Sequence, residues 1–210
     1  MKKVIFILGI LLSVSQINAQ KIIEKHISFG QKTKVVIDLQ IADSIKISTW
    51  NKNEVFAKGS VSINENKDNE AYVATFDDSG SEVVIDANFK KEYLDKRHNC
   101  INTEISWEIF IPENAVFSVK TINGNIIIAG KTSEIKAKTI SGFVDLTVPT
   151  NVKADLSCKT ISGTIYSNHD FAFNGSKKSF NSSINEKING GGRSIDIETI
   201  SGDIFFREMK

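Results

Sequence analysis

The chain has 210 residues, with 26 Lys and Arg against 25 Asp and Glu and a formal net charge of +1. This near-neutral charge excludes an electrostatic basis for nucleic-acid binding. Only two prolines and two cysteines occur. The abundance of Ile, Val, Thr and Phe favours strands over helices, so the composition predicts an all-β protein.

The first predicted element is an export signal. A basic start at Lys2 and Lys3 precedes an apolar run over 4–12 and a small residue at Ala19, just before Gln20. This pattern predicts a signal peptide over 1–19. The apolar run is too short for a permanent membrane span. The mature chain is therefore expected in the periplasm or at the cell surface, without a stable membrane span.

Residues 20–210 are expected to form a single all-β domain, because no linker interrupts them. Its first part, 20–112, is predicted to be an irregular β region, and its second part, 113–210, to be built from repeats. A weak helical pattern covers 89–94. Alternating apolar and polar residues predict strands over 34–39, 71–76, 82–89 and 104–111.

One tetrapeptide, Thr-Ile-(Ser/Asn)-Gly, recurs four times in the second part. Its glycines are spaced by 18, 21 and 39 residues, close to one, one and two units of a period near 20. Such a period is typical of stacked β-rungs. The four copies are Thr121–Gly124, Thr139–Gly142, Thr160–Gly163 and Thr199–Gly202.

Each copy lies between two alternating segments, which predicts a strand, a tight glycine turn and a second strand. The glycine is expected to supply a positive φ in every copy. Equivalent apolar residues should stack in columns on a buried face. The column five residues before the glycine holds Val119, Ala137, Cys158 and Ile197, and the column two residues after it holds Ile126, Val144, Ile165 and Ile204.

Polar residues occupy the alternate positions of the same strands. Lys120, Lys138 and Lys159 share one column and are expected to face solvent, either as a solvated face or as a basic binding stripe. The acids Glu134 and Asp155 are expected to dilute their repulsion.

The interval between Gly163 and Gly202 predicts one degenerate rung and a loop. The loop over 174–187 is the predicted binding segment, and its deletion is expected to spare folding. A partial match to the repeat occurs earlier in the chain. It aligns Ile45 and Ile47 with the columns that precede the motif glycine, and Trp50 with an apolar column beside the turn.

These motifs resemble the bacterial DUF4097-type adhesin family, which is related to the head GIN auto-transporter adhesin group. The specific segments are 121–126, 160–165 and 188–204, where a glycine cluster precedes a strand, the motif and another strand. The likeness covers most of the mature chain, with Asn123 and the long third interval as departures. The resemblance implies a β-solenoid-like or rolled all-β fold, an extracytoplasmic setting and a surface role, without catalytic residues to carry over.

Candidate chemical groups do not assemble into a known motif. The histidines His26, His98 and His169 lack metal-ligand spacing, and His98 with Cys100 supplies too few ligands for zinc. Cys158 fits a buried column, although a Cys100–Cys158 disulfide stays open as an alternative. No catalytic, cofactor-binding or metal-binding residue is therefore predicted.

Three further groups are interpreted as structural. The glycine cluster Gly190–Gly192 lacks the Lys and Ser/Thr of a phosphate loop. Trp50 and Trp107 could form a sugar-stacking platform, but their strand positions favour burial. The acids Asp145, Asp155, Asp196 and Asp203 do not align at equivalent repeat positions, as they would in a β-helical polysaccharide enzyme.

The sequence thus predicts an exported, non-enzymatic interaction module of the envelope or surface, adhesive in function. Its expected partner is a protein or glycan surface ligand, with self-association through a solenoid end as a further option. A periplasmic structural or stress-sensing component is the alternative, and a carbohydrate-active β-helix enzyme is the less favoured one.

Overall fold

The computed structural model describes residues 19–96, 100–131, 133–169 and 179–209. Within this part of the chain the protein is almost entirely β, which confirms the predicted class. One short helix, α1 (Lys91–Lys96), and a single 3-10 turn (Asn69–Ala71) interrupt the strands. The strands are β1 (Lys21–Ser28), β2 (Lys34–Leu39), β3 (Ile41–Trp50), β4 (Glu54–Ile63), β5 (Tyr72–Asp77), β6 (Glu82–Phe89), β7 (Thr103–Pro112), β8 (Val116–Ala129), β9 (Ile135–Ser141), β10 (Val144–Val148), β11 (Ala154–Ser167), β12 (Ser179–Ile188), β13 (Arg193–Ser201) and β14 (Ile204–Glu208).

The strands form two layers joined by sharp corners. Layer one has the order β5-β6-β2-β8-β9-β13-β11-β12, and layer two has the order β1-β4-β7-β3-β8-β10-β14-β11-β12. Strands β8, β11 and β12 belong to both layers because each is long enough to pass through the corner. The other motif segments place one strand in each layer, with the motif glycine at the bend between them.

Six parallel strands close into a flattened barrel. Hydrogen-bonded pairing runs from β8 through β9, β13, β11, β14 and β10 back to β8. Alternate side chains of both layers point into this barrel and are at most 1% exposed. They are Val119, Ala137, Ile197 and Cys158 in layer one, and Ile126, Val144, Ile204 and Ile165 in layer two.

The strand register confirms the predicted columns of equivalent motif residues. Val119 pairs with Ala137, Ala137 with Ile197, and Ile197 with Cys158. The four motif threonines also lie in one buried column. Because each strand offers only one apolar face, a shift of one residue would turn every one of these side chains to solvent.

The spatial order of the repeats differs from their order along the chain. The fourth copy, on β13, lies between the second copy on β9 and the third copy on β11. The interval before it holds β12, which pairs antiparallel with β11. The predicted loop over 174–187 is therefore wrong for residues 179–187, which belong to strand β12. Residues 170–178, which include Phe171–Phe173, lie outside the described part.

The motif threonine and glycine link each corner to its neighbour. The hydroxyl of Thr139 donates to the carbonyl oxygen of Gly124 at 3.1 Å, and Thr199 donates to that of Gly142 at 3.1 Å. Thr160 completes the series with Gly202 at 2.9 Å. These bonds satisfy hydroxyls that are buried in the barrel wall.

The motif glycine is required for close approach and only in two copies for a positive φ. Gly142 and Gly202 have φ values of 138° and 152°, whereas Gly124 and Gly163 do not have positive φ, so the prediction of a positive φ in every copy is wrong. A methyl group on any of the four would overlap a backbone carbonyl oxygen of the neighbouring corner. The glycines therefore allow the corners to stack at strand spacing.

The lysine column faces solvent, as predicted, but different acids compensate it. Glu198 lies between Lys138 and Lys159 in the register, and its carboxylate is 3.1 Å from the Lys138 ammonium. Lys120 lies 3.5 Å from Asp38. Glu134 and Asp155, the acids expected to dilute the repulsion, lie outside this column in the strand register.

The partial match to the repeat around Ile45 does join the repeat columns, although its predicted alignment with the motif is wrong. Ile45 and Ile47 pair with Ile126 and Ile128, and so belong to the columns that follow the glycine. The residues that extend the columns before the glycine come from β2, where Ile37 pairs with Val119. The first corner is thus formed at Gln40, without the motif.

Candidate functional site

An aromatic cluster covers the outer face of layer two over the barrel. It consists of three outward-pointing side chains: Phe205 on β14, Tyr166 on β11, and Phe143 at the corner just before β10. The Tyr166 and Phe205 rings are nearly parallel, with 13° between their planes and 5.2 Å between their centroids. Phe143 meets Phe205 edge to face at 6.0 Å. Tyr166 is 40% exposed, so the cluster is accessible to a partner.

An ion pair lies within the same surface. An Arg207 guanidinium nitrogen is 3.1 Å from a carboxylate oxygen of Asp145, and the guanidinium lies 5.1 Å from the centroid of the Phe205 ring. The second Asp145 oxygen, Oδ1, is buried and lacks a hydrogen-bond partner. Burial raises the pKa of Asp145, and the positive charge of Arg207 opposes this rise.

A shallow hollow of about 370 Å³ opens beside the cluster. Its lining combines two aromatic rings with hydroxyl, amide and guanidinium groups, from Tyr166, Ser167, Asn168, Phe205 and Arg207. Aromatic rings together with a few directional polar groups are typical of sites that bind small or chain-like ligands.

An Arg207→Gln variant is expected to be less stable than the wild type by about 1 kcal/mol near neutral pH. The change removes the charge that offsets the burial of Asp145. Burial raises the folded-state pKa of Asp145, so the ionised carboxylate lowers the free energy of unfolding at pH values above that pKa. This destabilisation disappears as the pH falls and the carboxyl becomes protonated. The loss should therefore vanish near about pH 3, where the carboxyl is protonated in both states.

Urea denaturation at the two pH values measures this difference. Arg193→Gln is the matched control, because Arg193 is exposed on β13 and forms no ion pair within the described part of the chain. An equal loss of stability at both pH values would contradict the electrostatic role of Arg207.

Among the described residues, the histidines and cysteines do not form a common site. His26 lies on edge strand β1 beside Glu54, and His169 follows β11 with its Nδ1 atom 2.6 Å from Glu208. His98 lies outside the described residues. Both thiols are free, with Cys100 exposed and Cys158 buried. Burial raises the pKa of Cys158 to about 12, so its thiol is held in the unreactive, protonated form.

The dispersed acids stay apart in the structure. Asp145 pairs with Phe205 across the strands, and Asp196 pairs with Lys136. Asp203 accepts a backbone hydrogen bond from Thr164 at 2.8 Å. Among the described residues, no group of three or more His, Cys, Asp or Glu side chains could hold a metal ion.

The glycine cluster forms the turn between β12 and β13. Gly190, Gly191 and Gly192 have φ values of 90°, 83° and 158°, and Asn189 before them has a φ of 49°. Glycine adopts these conformations without steric cost, which explains the run.

The two tryptophans have different environments. Trp107 is 1% exposed and donates to the Tyr72 hydroxyl at 3.3 Å, which confirms its predicted burial. The interpretation of Trp50 as a core residue is wrong. Trp50 is half-buried on the outer face of layer two, where it stacks on Phe110 and lies 4.4 Å below the Lys52 ammonium. With Phe56 and His26 it forms a second aromatic row.

The comparisons with known proteins agree with this architecture. The family model described as Toastrack DUF4097 matches residues 38–206, which is most of the sequence. The chain belongs to the Toastrack DUF4097 family. This confirms the resemblance inferred from the motifs. The match spans both layers of the Toastrack barrel, from β2 to β14.

A solved structure shares the Toastrack fold at low sequence identity. It is a putative cell adhesion protein from Clostridium sporogenes ATCC 15579, with 14% identity, a TM-score of 0.59, and coverage of 91% of this chain and 100% of that chain. A putative adhesin from Bacteroides fragilis NCTC 9343 is a more distant match, with 9% identity, a TM-score of 0.35, and coverage of 91% and 99%.

Two other results complete the comparisons. The comparison with curated proteins gives no match. In the part of the Toastrack chain that the structure describes, no helix has the length and apolar character needed to cross a bilayer.

Proposed function

We propose that this Toastrack protein is an exported, non-enzymatic interaction module of the cell envelope or surface, adhesive in function, which binds a protein or glycan through the aromatic cluster. The observation that carries the proposal is the nearly parallel Tyr166–Phe205 pair, with Tyr166 exposed, beside the Asp145–Arg207 ion pair. Exposed aromatic side chains combined with arginine are enriched where proteins contact partners.

The scaffold supports a binding function better than a catalytic one. We regard the barrel as a short β-roll, in which Thr–Gly contacts repeat from corner to corner and make the wall rigid. A rigid wall holds the outward side chains of adjacent strands in fixed rows, which suits an extended ligand. The name of the C. sporogenes neighbour, a putative cell adhesion protein, is consistent with this function.

Binding is tested with fluorescently labelled mature protein on an array of bacterial and host glycans and of extracellular-matrix proteins. The wild type is expected to bind at least one surface, and the Tyr166→Ala/Phe205→Ala variant is expected to bind it at least about tenfold more weakly. Phe56→Ala/Phe110→Ala is the matched control, since it removes two rings from the other aromatic row of the same face. Absence of binding, or binding that survives loss of Tyr166 and Phe205, would contradict the proposal.

Location is tested separately by protease treatment of intact cells. Digestion of the protein is expected if it faces the exterior. Protection in intact cells, followed by digestion after the envelope is opened, would instead favour the periplasmic structural or sensory component.

A further inference from the structure

The isoleucine of the repeated motif forms an exposed ridge along layer one. Ile122, Ile140, Ile200 and Ile161 occupy one outward column on adjacent strands β8, β9, β13 and β11. Neighbouring members are separated by about 4.8 Å, the spacing of paired strands. Ile122, Ile140 and Ile161 are 42%, 40% and 67% exposed, and Ile200 is half-buried. We call this column the isoleucine ridge.

The motif isoleucine does not contribute to the core of the barrel. The motif threonine donates to the neighbouring corner, and the glycine makes room for that corner. The isoleucine lies on the opposite side from the core in all four copies. Four adjacent aliphatic side chains, three of them exposed, form a contiguous apolar patch, and such patches mark interaction sites on soluble proteins.

The charges beside the ridge indicate which partner fits it. The two columns next to it place lysine on β9 and acid on β13, with Lys138 opposite Glu198 and Lys136 opposite Asp196. Consider a two-fold axis that lies in the interface, parallel to the strands and midway between β9 and β13. A half-turn about this axis places β9 of one copy over β13 of the other. Each lysine on β9 then faces an acid on β13 of a second copy. The central surface is therefore complementary to itself, as a two-fold interface requires.

We propose that the isoleucine ridge is the docking surface for a second copy of this chain, related by that two-fold axis. Ile140 of one copy packs against Ile200 of the other, and Ile122 packs against Ile161. The lysines Lys120 and Lys159 face one another at the two rims, where solvent screens them and where Asp38 already neutralises Lys120. This interface is distinct from the aromatic cluster, so the proposal does not depend on the proposed ligand.

The size of the surface predicts a weak dimer. Four strands about 4.8 Å apart and seven residues long at about 3.3 Å per residue cover about 440 Å². A standard stable interface buries about 800 Å² per partner. The dimer is thus expected to depend on concentration and to form most fully where many copies are held close together.

Sedimentation velocity over a concentration series of mature protein tests the dimer. The wild type is expected to shift from monomer to dimer as concentration rises, and Ile140→Lys/Ile161→Lys is expected to raise the dissociation constant by about tenfold or more. Ile22→Lys is the matched control, because Ile22 is 51% exposed on β1, far from the ridge in strand order. A wild type that stays monomeric, or a dimer that Ile22→Lys disrupts equally, would overturn the proposal.

Cysteine cross-linking tests the two-fold arrangement itself without altering charge. In a Cys100→Ser background, a mixture of the Ile140→Cys and Ile200→Cys variants is expected to give disulfide-linked dimers on mild oxidation, because these two positions face one another. Either variant alone is expected to cross-link much less. Equal cross-linking in the mixture and in the separate variants would exclude this arrangement, and so would the absence of cross-linked dimers in the mixture.

Discussion

A Gly202→Ala variant is expected to lose about 2–4 kcal/mol of unfolding free energy. Gly202 lies at the central corner of the barrel, with a φ of 152° that side chains rarely adopt. Its new methyl group would also overlap the carbonyl oxygen of Gly142, the same oxygen that accepts the Thr199 hydroxyl. The substitution therefore combines backbone strain with separation of two stacked corners.

Urea denaturation followed by circular dichroism measures this loss. Gly80→Ala is the control, because Gly80 has a permitted φ and no atom within 4 Å of the added carbon. The control should unfold like the wild type or slightly later, since alanine restricts the unfolded chain. A Gly202→Ala variant as stable as this control would show that the corners are not in close contact.

A chain that ends before Arg193 is expected to lose cooperative folding altogether. The missing segment contains β13 and β14, which lie in the middle of the barrel between β9 and β11 in layer one and between β10 and β11 in layer two. Its four inward apolar side chains, Ile195, Ile197, Ile204 and Phe206, are fully buried. Their burial contributes about 6–12 kcal/mol, which is comparable to the whole stability of a domain of this size.

Thermal unfolding and proteolysis distinguish this result from the loss of an end rung. If repeats stacked in chain order, the truncated protein would lose only its last rung and would still melt cooperatively. A sharp melting transition in the truncated chain would therefore contradict the observed order. A chain ending at Met209 is the control, because it keeps both strands.

Much of the local structure could be predicted from the sequence, because alternation reports directly on burial. The strands over 34–39 and 82–89 have the predicted bounds, and the short helix lies within two residues of its predicted position. The inward column from Val119 to Ile197 could be predicted as well, since each copy of the motif has the same alternating pattern around its glycine.

The neighbour of each repeat could not be predicted, for a physical reason. Every copy presents the same threonine hydroxyl and the same corner carbonyl, so any copy can stack on any other with equal local fit. In the folded chain β12 pairs antiparallel with one edge of β11, and the fourth copy lies between the other edge of β11 and β9. That pairing is non-local and leaves little trace in the spacing of the glycines.

The candidate site was missed because its residues look ordinary one at a time. Phe143, Tyr166 and Phe205 occupy outward positions of three separate chain segments, and only the strand register brings them together. A usable signal was present, since three of the four motif copies are followed by an aromatic residue in the outward alternation. Trp50 was misjudged for the same reason, because its assigned column depended on an incorrect alignment of β3.

The placement of the C-terminal repeat has a consequence for the timing of folding. Lys138 and Glu198, partners on adjacent strands, are 60 residues apart in sequence. The barrel therefore cannot close before β13 and β14 have been synthesised. Because closure depends on contacts between segments that are far apart in sequence, it is expected to be slower than the pairing of strands that are neighbours along the chain.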